Sequence, residues 1–378
     1  MLSPEEALIT LNLIPGLGSM RIQALLEFFG SAELVLNAPE NLLTKVPGIG
    51  RRLVSAIADW RNCTNVREEL KCAADYGVRV VTILDEEYPA FLRRMSDPPI
   101  VIYVRGNWLK SDSDRSVAIV GTRQASAYGA TTARKFGREL AEAGCTIISG
   151  LARGIDTAAH WGALDAGGRT LAVLGFGLAA LYPEENAELA DRICNGHGAL
   201  VSEFPMYMRP SRTTFPQRNR IVAAWSRATL VVEAPYRSGS LHTASMAAEH
   251  YGNHVFAIPG PITQISSSGC HALIRDGAIL CTSPHELLSD MNWINKPTQL
   301  ELFNPPSQDS VQAVTGRQQL PHNEAADILR AIDAGHDTLD ALCSALGKGA
   351  HQLNPMLMKL QIERRIVPLP GGRFNTVL

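Results

Sequence analysis

The chain has 378 residues, 46% of them hydrophobic and 19% charged, with a formal net charge of −2 at pH 7. That excludes a disordered or fibrous chain and calls for more than one core, since domains cluster near ~100–150 residues. Near neutrality excludes a protein that coats nucleic acid over its whole surface, while leaving room for a local basic groove.

The seven cysteines are scattered and show no CxxC pair. Neither a disulfide framework nor a metal site is expected, and the thiols read as reduced. The start of the chain has no basic region followed by an apolar run, and no stretch approaches the ~20 uninterrupted apolar residues that span a bilayer. The expectation is a cytoplasmic protein with no membrane contact.

Residues 1–75 read as short helices separated by glycine turns. Two turns are alike, Ile14-Pro15-Gly16-Leu17-Gly18 and Val46-Pro47-Gly48-Ile49-Gly50, and each leads into a helical pattern. The arrangement resembles a helix-hairpin-helix, whose glycines let amides at a helix start approach phosphate. Simple packing of a small helical domain explains the same turns.

From 76 to 294 short β-branched runs alternate with helical stretches, as a doubly wound, mostly parallel sheet requires. The predicted strands are Val78–Leu84, Ile100–Arg105, Ser116–Val120, Thr146–Ser149, Thr170–Leu174, Ala199–Ser202, Ala228–Val232 and His254–Ile258. Ligands of open α/β sheets sit outside the carboxyl ends of the strands, so function is sought there.

At the first such end, Val117–Val120 runs into Gly121-Thr122-Arg123, a glycine turn opening a helix, with a guanidinium fork suited to phosphate. It lacks the GxGxxG spacing of a dinucleotide site, and a purely structural turn is the plainer explanation. The second end, Ser149-Gly150-Leu151-Ala152-Arg153-Gly154, enters a helix that Asp156 can anchor and that holds His160. No nucleophile stands beside His160, which points to a structural role.

The third carries most information. Arg209, Arg212, Arg218, Arg220 and Arg227 fall in one segment free of Asp and Glu, and Phe215-Pro216-Gln217-Arg218-Asn219-Arg220 interleaves an aromatic with forked cations. That pairing suits stacked bases and neutralised phosphates. Against it stands a solvated loop with some arginines in carboxylate pairs, and Asn219 and Arg220 directly precede the apolar Ile221–Trp225. The fourth, Ser238-Gly239-Ser240, is a small-residue loop entering a helix, with backbone donors for another phosphate.

Residues 295–321, rich in Pro, Gln, Asn and Ser, read as a linker. From 322 to 378 come helical patterns at Ala325–Ala334 and Pro355–Glu363, then Arg365–Leu369 and Arg373–Val377 around Pro370-Gly371-Gly372. Helices followed by a hairpin suggest a winged helix, a fold that serves DNA and protein contacts alike.

Taken in order, IVGTR, SGLARGID..AH, AVLG.G....YP..N, SE.P, FPQRNRIV, VVEA...SGSL.TA, AIPG and GC.ALIRDGA resemble the DprA (DNA processing protein A, or Smf) family from Val117 to about Ala278. The resemblance implies an extended Rossmann-like domain flanked by a SAM-like helical domain and a winged helix. It implies a non-enzymatic protein that binds single-stranded DNA, dimerises, and loads RecA recombinase during natural transformation, with no cofactor.

By position, the resemblance makes Arg123 and Arg212 phosphate contacts, and Phe215, Arg218, Asn219 and Arg220 the pocket. It places His271, Ile274, Arg275 and Leu280 in the segment used for self-association and RecA. Phe176 and His242 depart from the family pattern, which puts pocket details in doubt. The rival is an enzyme of the LOG-type phosphoribohydrolase class, resembled through Ser238–Ser240 and Glu249. Such enzymes need PGG.GT.EE, and Ser-Gly-Ser-Leu-His-Thr-Ala lacks the carboxylate pair.

Overall fold

The computed structural model describes residues 2–294, 322–362, 365–369 and 373–376. The chain divides into two compact units, Met1–Lys296 and Pro297–Leu378. The expected linker, 295–321, lies outside the described residues.

The first unit opens with helices whose starts are written in the sequence. Ser3 accepts from the Glu6 amide, Glu6 accepts from the Ser3 amide, and Pro4 fills the first turn of Pro4–Leu13. The two Pro-Gly turns adopt one conformation. Gly16 and Gly48 have φ of +82° and +80°, which glycine takes without strain. Gly18 and Gly50 then precede the helices Ser19–Phe29 and Arg51–Ala58 at φ/ψ of −84°/169° and −82°/168°.

These helices do not form a domain of their own, as the 1–75 boundary supposed. Leu11, Ile22, Leu25, Leu43 and Ile57 share one buried cluster with Val78, Val101, Tyr103 and Met206. The short helices cover one another and share their core with the edge of the sheet.

Nine strands make one sheet: β1 (Val78–Thr82), β2 (Val101–Gly106), β3 (Ser116–Val120), β4 (Thr146–Ser149), β5 (Thr170–Leu174), β6 (Gly198–Ser202), β7 (Ala228–Val231), β8 (His254–Ala257) and β9 (Ile279–Leu280). Their order is β1-β2-β6-β5-β4-β3-β7-β8-β9. The β1–β2 and β2–β6 pairs are antiparallel and the rest are parallel.

β1 stops at Thr82, short of Leu84, because the Thr82 amide and hydroxyl both donate to the Asp85 carboxylate, at 2.6 and 2.9 Å. β9 has only two residues, too few for a pattern to reveal. Every residue of β3, β4 and β5 is buried, as strands covered on both faces require.

Alternation divides β3 between two layers. Val117 and Ile119 pack with Phe136 and Leu140 of the Ala127–Glu142 helix and with Ala159 and Ala163 of the Ile155–Asp165 helix. Ala118 and Val120 pack with Ile221, Val222 and Trp225 of the Thr214–Trp225 helix. The result is the expected α/β, Rossmann-like sandwich. Strand order reverses at β3, with β4 on one side and β7 on the other, so the crevice beyond their carboxyl ends is where a ligand belongs.

The second unit packs the helices His322–Asp333, Leu339–Leu346 and Ala350–Ile362 and the hairpin Ile366–Leu369/Arg373–Thr376 around Ile328, Leu342, Leu353, Leu357, Leu360 and Ile366. This is a winged helix. The middle helix escaped the sequence pattern because it is only eight residues long, set between the Thr338 cap and left-handed Gly347. The last helix begins at Ala350, so Pro355 falls inside it and does not start it.

Among the described residues no helix is long and apolar enough to cross a membrane, and no group of three or more His, Cys, Asp or Glu could hold a metal ion.

Candidate nucleic-acid interface

An open cleft of about 890 Å³ lies at the reversal point. It is lined by Gly121, Thr122 and Arg123 beyond β3, and by Gly150 and Ala152 beyond β4. Arg212 from the segment after β6, Phe215, Arg218 and Asn219 of the Thr214–Trp225 helix, and Ser238, Gly239 and Ser240 beyond β7 complete it. Residues far apart in sequence thus meet because their strands are neighbours.

The Arg123 guanidinium lies 4.5 Å from the centroid of the Phe215 ring, close enough for cation–π attraction. Phe215 is braced from behind by Phe176 and Tyr182, whose ring centroids are 6.5 and 6.3 Å away. Phe176 is buried, so its departure from the family pattern places a large ring as backing for Phe215. Tyr182, half exposed in the cleft wall, was not among the candidates. Its Tyr-Pro signal stood in the sequence, but nothing local tied it to Phe215.

Arg218 forms the floor. Its guanidinium is buried and donates from Nη1 to the Gly150 carbonyl at 2.9 Å and to the Val173 carbonyl. Burial pulls its pKa down to about 10, with Arg123 adding repulsion and Asp156 opposing both. It stays cationic at neutral pH. A Cβ on Gly150 would sit 2.3 Å from this guanidinium, so any larger residue there would displace the Arg218 head group.

Several amides of the glycine turns after β3 and β4 are already engaged. Asp156, whose pKa burial raises against the pull of Arg218, accepts from the Gly150 and Ala152 amides at 3.1 and 3.4 Å. The Thr122 amide donates to the Glu233 carbonyl at 2.7 Å, and the Ser126 amide and hydroxyl donate to Glu233 Oε2 at 2.9 and 3.1 Å. These four amides, in the turns after β3 and β4, are therefore held by internal acceptors. Glu233 was overlooked because its role depends on a partner 107 residues away.

Several sequence candidates lie elsewhere. Ser149 is buried and donates to the Ile119 carbonyl at 2.6 Å. Leu151 is fully buried in an apolar cluster with Leu174 and Phe176. Gly154 packs so closely that a Cβ would meet the Thr122 carbonyl oxygen at 2.4 Å. Arg153 is exposed but pairs with Glu185 at 2.7 Å, outside the cleft lining.

Arg220 is a further correction. It faces the interior, pairs with Glu203 at 2.7 Å and Asp97 at 2.6 Å, and donates to Ser19 Oγ at 3.1 Å. It occupies a buried carboxylate pair. His160 is likewise structural: Nδ1 lies 2.6 Å from the Thr170 hydroxyl, and burial, then Arg218, push its pKa down to about 3.

The segment bearing Arg209 and Arg212 is anchored at its root. The Gly177 and Ala179 amides donate to the Met208 and Met206 carbonyls at 2.9 and 3.0 Å, and the Met206 amide donates to Glu69 Oε1 at 2.7 Å. Arg209 and Arg212 are exposed beyond it.

At the far edge of the sheet, His271 Nε2 lies 2.9 Å from the Gly260 carbonyl oxygen, Ile274 packs against the core, and Arg275 is exposed. Leu280 is 50% exposed on β9, whose sole strand neighbour among the described residues is β8.

Comparison with known proteins agrees with this architecture. The family model for DNA recombination-mediator protein A matches residues 79–292, and the DprA winged helix domain matches 315–372. Protein Smf of Escherichia coli is 39% identical over 291 residues, covering 76% of this chain and 74% of that protein. Protein Smf of Synechocystis is 36% identical over 386 residues, covering 96% of each.

The X-ray structure of DNA processing protein A from Streptococcus pneumoniae superposes with a TM-score of 0.66 at 35% identity, over 77% of this chain and 99% of that one. A structure describing the single-stranded DNA binding mode of DNA processing protein A from Helicobacter pylori gives 0.51 at 28% identity, over 57% and 95%. With the reversed sheet, the arginine-lined crevice and the winged helix all accounted for, the chain belongs to the DprA/Smf family of DNA recombination-mediator proteins.

Proposed function

We propose that the cleft binds single-stranded DNA with little sequence preference and that the protein acts by holding the strand, without catalysis. In this reading it protects incoming DNA in the cytoplasm and loads RecA recombinase during natural transformation, as a homodimer joined through the Ile274–Leu280 segment. The carrying observation is the Arg123–Phe215 pair, a guanidinium 4.5 Å from an aromatic centroid at an open cleft. A phosphate and an unstacked base are both served there, and a duplex keeps its base faces hidden. The Helicobacter pylori relative, described as binding single-stranded DNA, supports the same reading.

The binding role is supported further by the state of the carboxylates. Asp156 is engaged with backbone amides, and Glu249, the residue that an LOG-type enzyme reading invokes, accepts from Ser245 Oγ at 2.7 Å and does not line the cleft. Half-exposed Leu280 on the edge strand supports self-association. The test is titration of matched single- and double-stranded oligonucleotides across a salt series, with base release from nucleoside monophosphates measured alongside. Preference for single strands with a steep salt dependence and no base release is expected; equal affinity for duplex would overturn the reading.

A further inference from the structure

The lip of the cleft beyond β7 carries a strained residue. The Ser238 amide donates to the Pro235 carbonyl at 3.0 Å, closing a four-residue turn, and the third residue of that turn, Arg237, has φ of +72°. Turns of this kind favour glycine at the third position, because a Cβ there is crowded by the backbone. The turn is also framed from outside: the Tyr236 amide donates to Ser268 Oγ at 2.9 Å and the Gly269 amide to the Ala234 carbonyl at 2.8 Å. An arginine is kept where glycine would sit more easily.

The side chains show what the strain maintains. Arg237 is exposed, and among the described residues it has no ion-pair or ring partner. Tyr236 beside it is 67% exposed. Neither side chain contributes to a core, and the next residues, Ser238 to Ser240, line the cleft. A positive-φ arginine with an exposed guanidinium, next to an exposed tyrosine ring, leaves both side chains available to something outside the fold.

We propose that Tyr236 and Arg237 form a second nucleotide subsite at the lip of the cleft. A strand leaving past Ser238–Ser240 stacks a base on Tyr236 and sets a phosphate on Arg237. The pair repeats the chemistry of Phe215 and Arg123 beside Ser238–Ser240 of the cleft lining, so one polyanion with successive π-faces satisfies both. This inference rests on the reading that the cleft holds single-stranded DNA.

The test uses the full chain, two labelled oligothymidylates, one of about 6 nucleotides that fills the cleft and one of about 20 that runs beyond it, and thermal melting. Arg237→Gly relieves the strained position, so its melting temperature should equal or exceed that of the parent. Its affinity for the long strand should fall about fivefold or more, with the short strand bound as before. Tyr236→Ala should show the same length dependence.

Unchanged affinity for the long strand in both variants would overturn the subsite. So would a lowered melting temperature with equal losses at both lengths, which marks a structural role. If the parent protein binds neither strand, the cleft reading itself falls, which separates that failure from failure of the subsite.

Discussion

Arg220 and Glu203 lie 2.7 Å apart with both side chains buried, and Asp97 reaches the same guanidinium at 2.6 Å. Burial alone would raise the Glu203 pKa, and Arg220 opposes this. Removing the cation strands two carboxylates, one of them wholly interior, a change that costs roughly 3–5 kcal/mol. Arg220→Ala should therefore lower the unfolding midpoint in urea markedly, while Arg212→Ala, before the start of the same helix and solvent-facing, should not. Equal midpoints would show that the pair carries little of the fold.

Phe215 offers the opposite profile. Its ring is half-buried against Phe176 and Tyr182 but open toward Arg123. Stacking of a base on such a ring is worth ~1–3 kcal/mol. Phe215→Ala should weaken binding of a single strand by that amount in fluorescence anisotropy, and Phe215→Trp should restore it. Loss in both variants would point to packing against Phe176 in place of base contact.

Arg123 and Arg212 are exposed and line the cleft from two different strand ends. Each phosphate neutralised adds roughly 0.7 to the slope of log affinity against log salt for a single strand. Arg123→Ala and Arg212→Ala should each bind at least about tenfold more weakly at low salt and show a shallower slope, with melting temperatures near that of the parent. A full-strength slope in both would move the phosphate contacts to Arg209 or Arg218.

His160 makes acid stability readable. Its pKa is held at about 3 in the fold against 6.5 for the free side chain, by burial first and then by Arg218. The unfolded chain therefore takes up a proton between pH 6.5 and about 3 that the folded chain refuses. This stability is complete above 6.5 and is lost as pH falls, at up to ~1.4 kcal/mol per pH unit. Urea unfolding from pH 7 to pH 4 should show a flatter decline for His160→Gln than for the parent. Parallel curves would mean that other groups set the acid limb.

Leu280 tests assembly. It is half exposed on an edge strand that has β8 on one side and, among the described residues, no further strand on the other. Leu280→Arg places a charge on that face without disturbing the buried Cys281 beside it. Light scattering should report a dimer for the parent and a folded monomer for the variant. A variant that remains dimeric would place the interface elsewhere.

The sheet was legible because β3, β4 and β5 are apolar runs ended by Ser or Gly, buried on both faces. Arg123 and Phe215 were legible from residue type and from their strand-end neighbourhood. The fates of the clustered arginines were not. Arg212 is exposed, Arg218 is buried against carbonyl oxygens, and Arg220 is buried against carboxylates, yet all three stand in one short charged segment.

What separates them is supplied by Gly150, Glu203 and Asp97, the last 123 residues away in sequence. The glycine turns misled for the same reason. Whether an amide is free depends on whether Asp156 or Glu233 arrives to accept from it, and short-range pattern carries no record of that. The helical segment looked independent because its periodicity ends near residue 75, whereas its core continues into Val101 and Tyr103.

That shared core constrains how this chain can be inherited. Asn12 donates to the Glu203 carbonyl at 3.3 Å, Glu69 receives the Met206 amide, and Met206 is buried among the N-terminal helices. The arginine segment thus grows from a root that belongs as much to the helices as to the sheet. A chimera that replaced residues 1–75 with a relative's would carry each mismatch at positions 12 and 69 into the placement of Arg209 and Arg212. The winged helix is built around a core of its own, with Leu342 and Leu357 at its centre. Recombination among relatives must therefore move the N-terminal helices and the arginine segment as one piece.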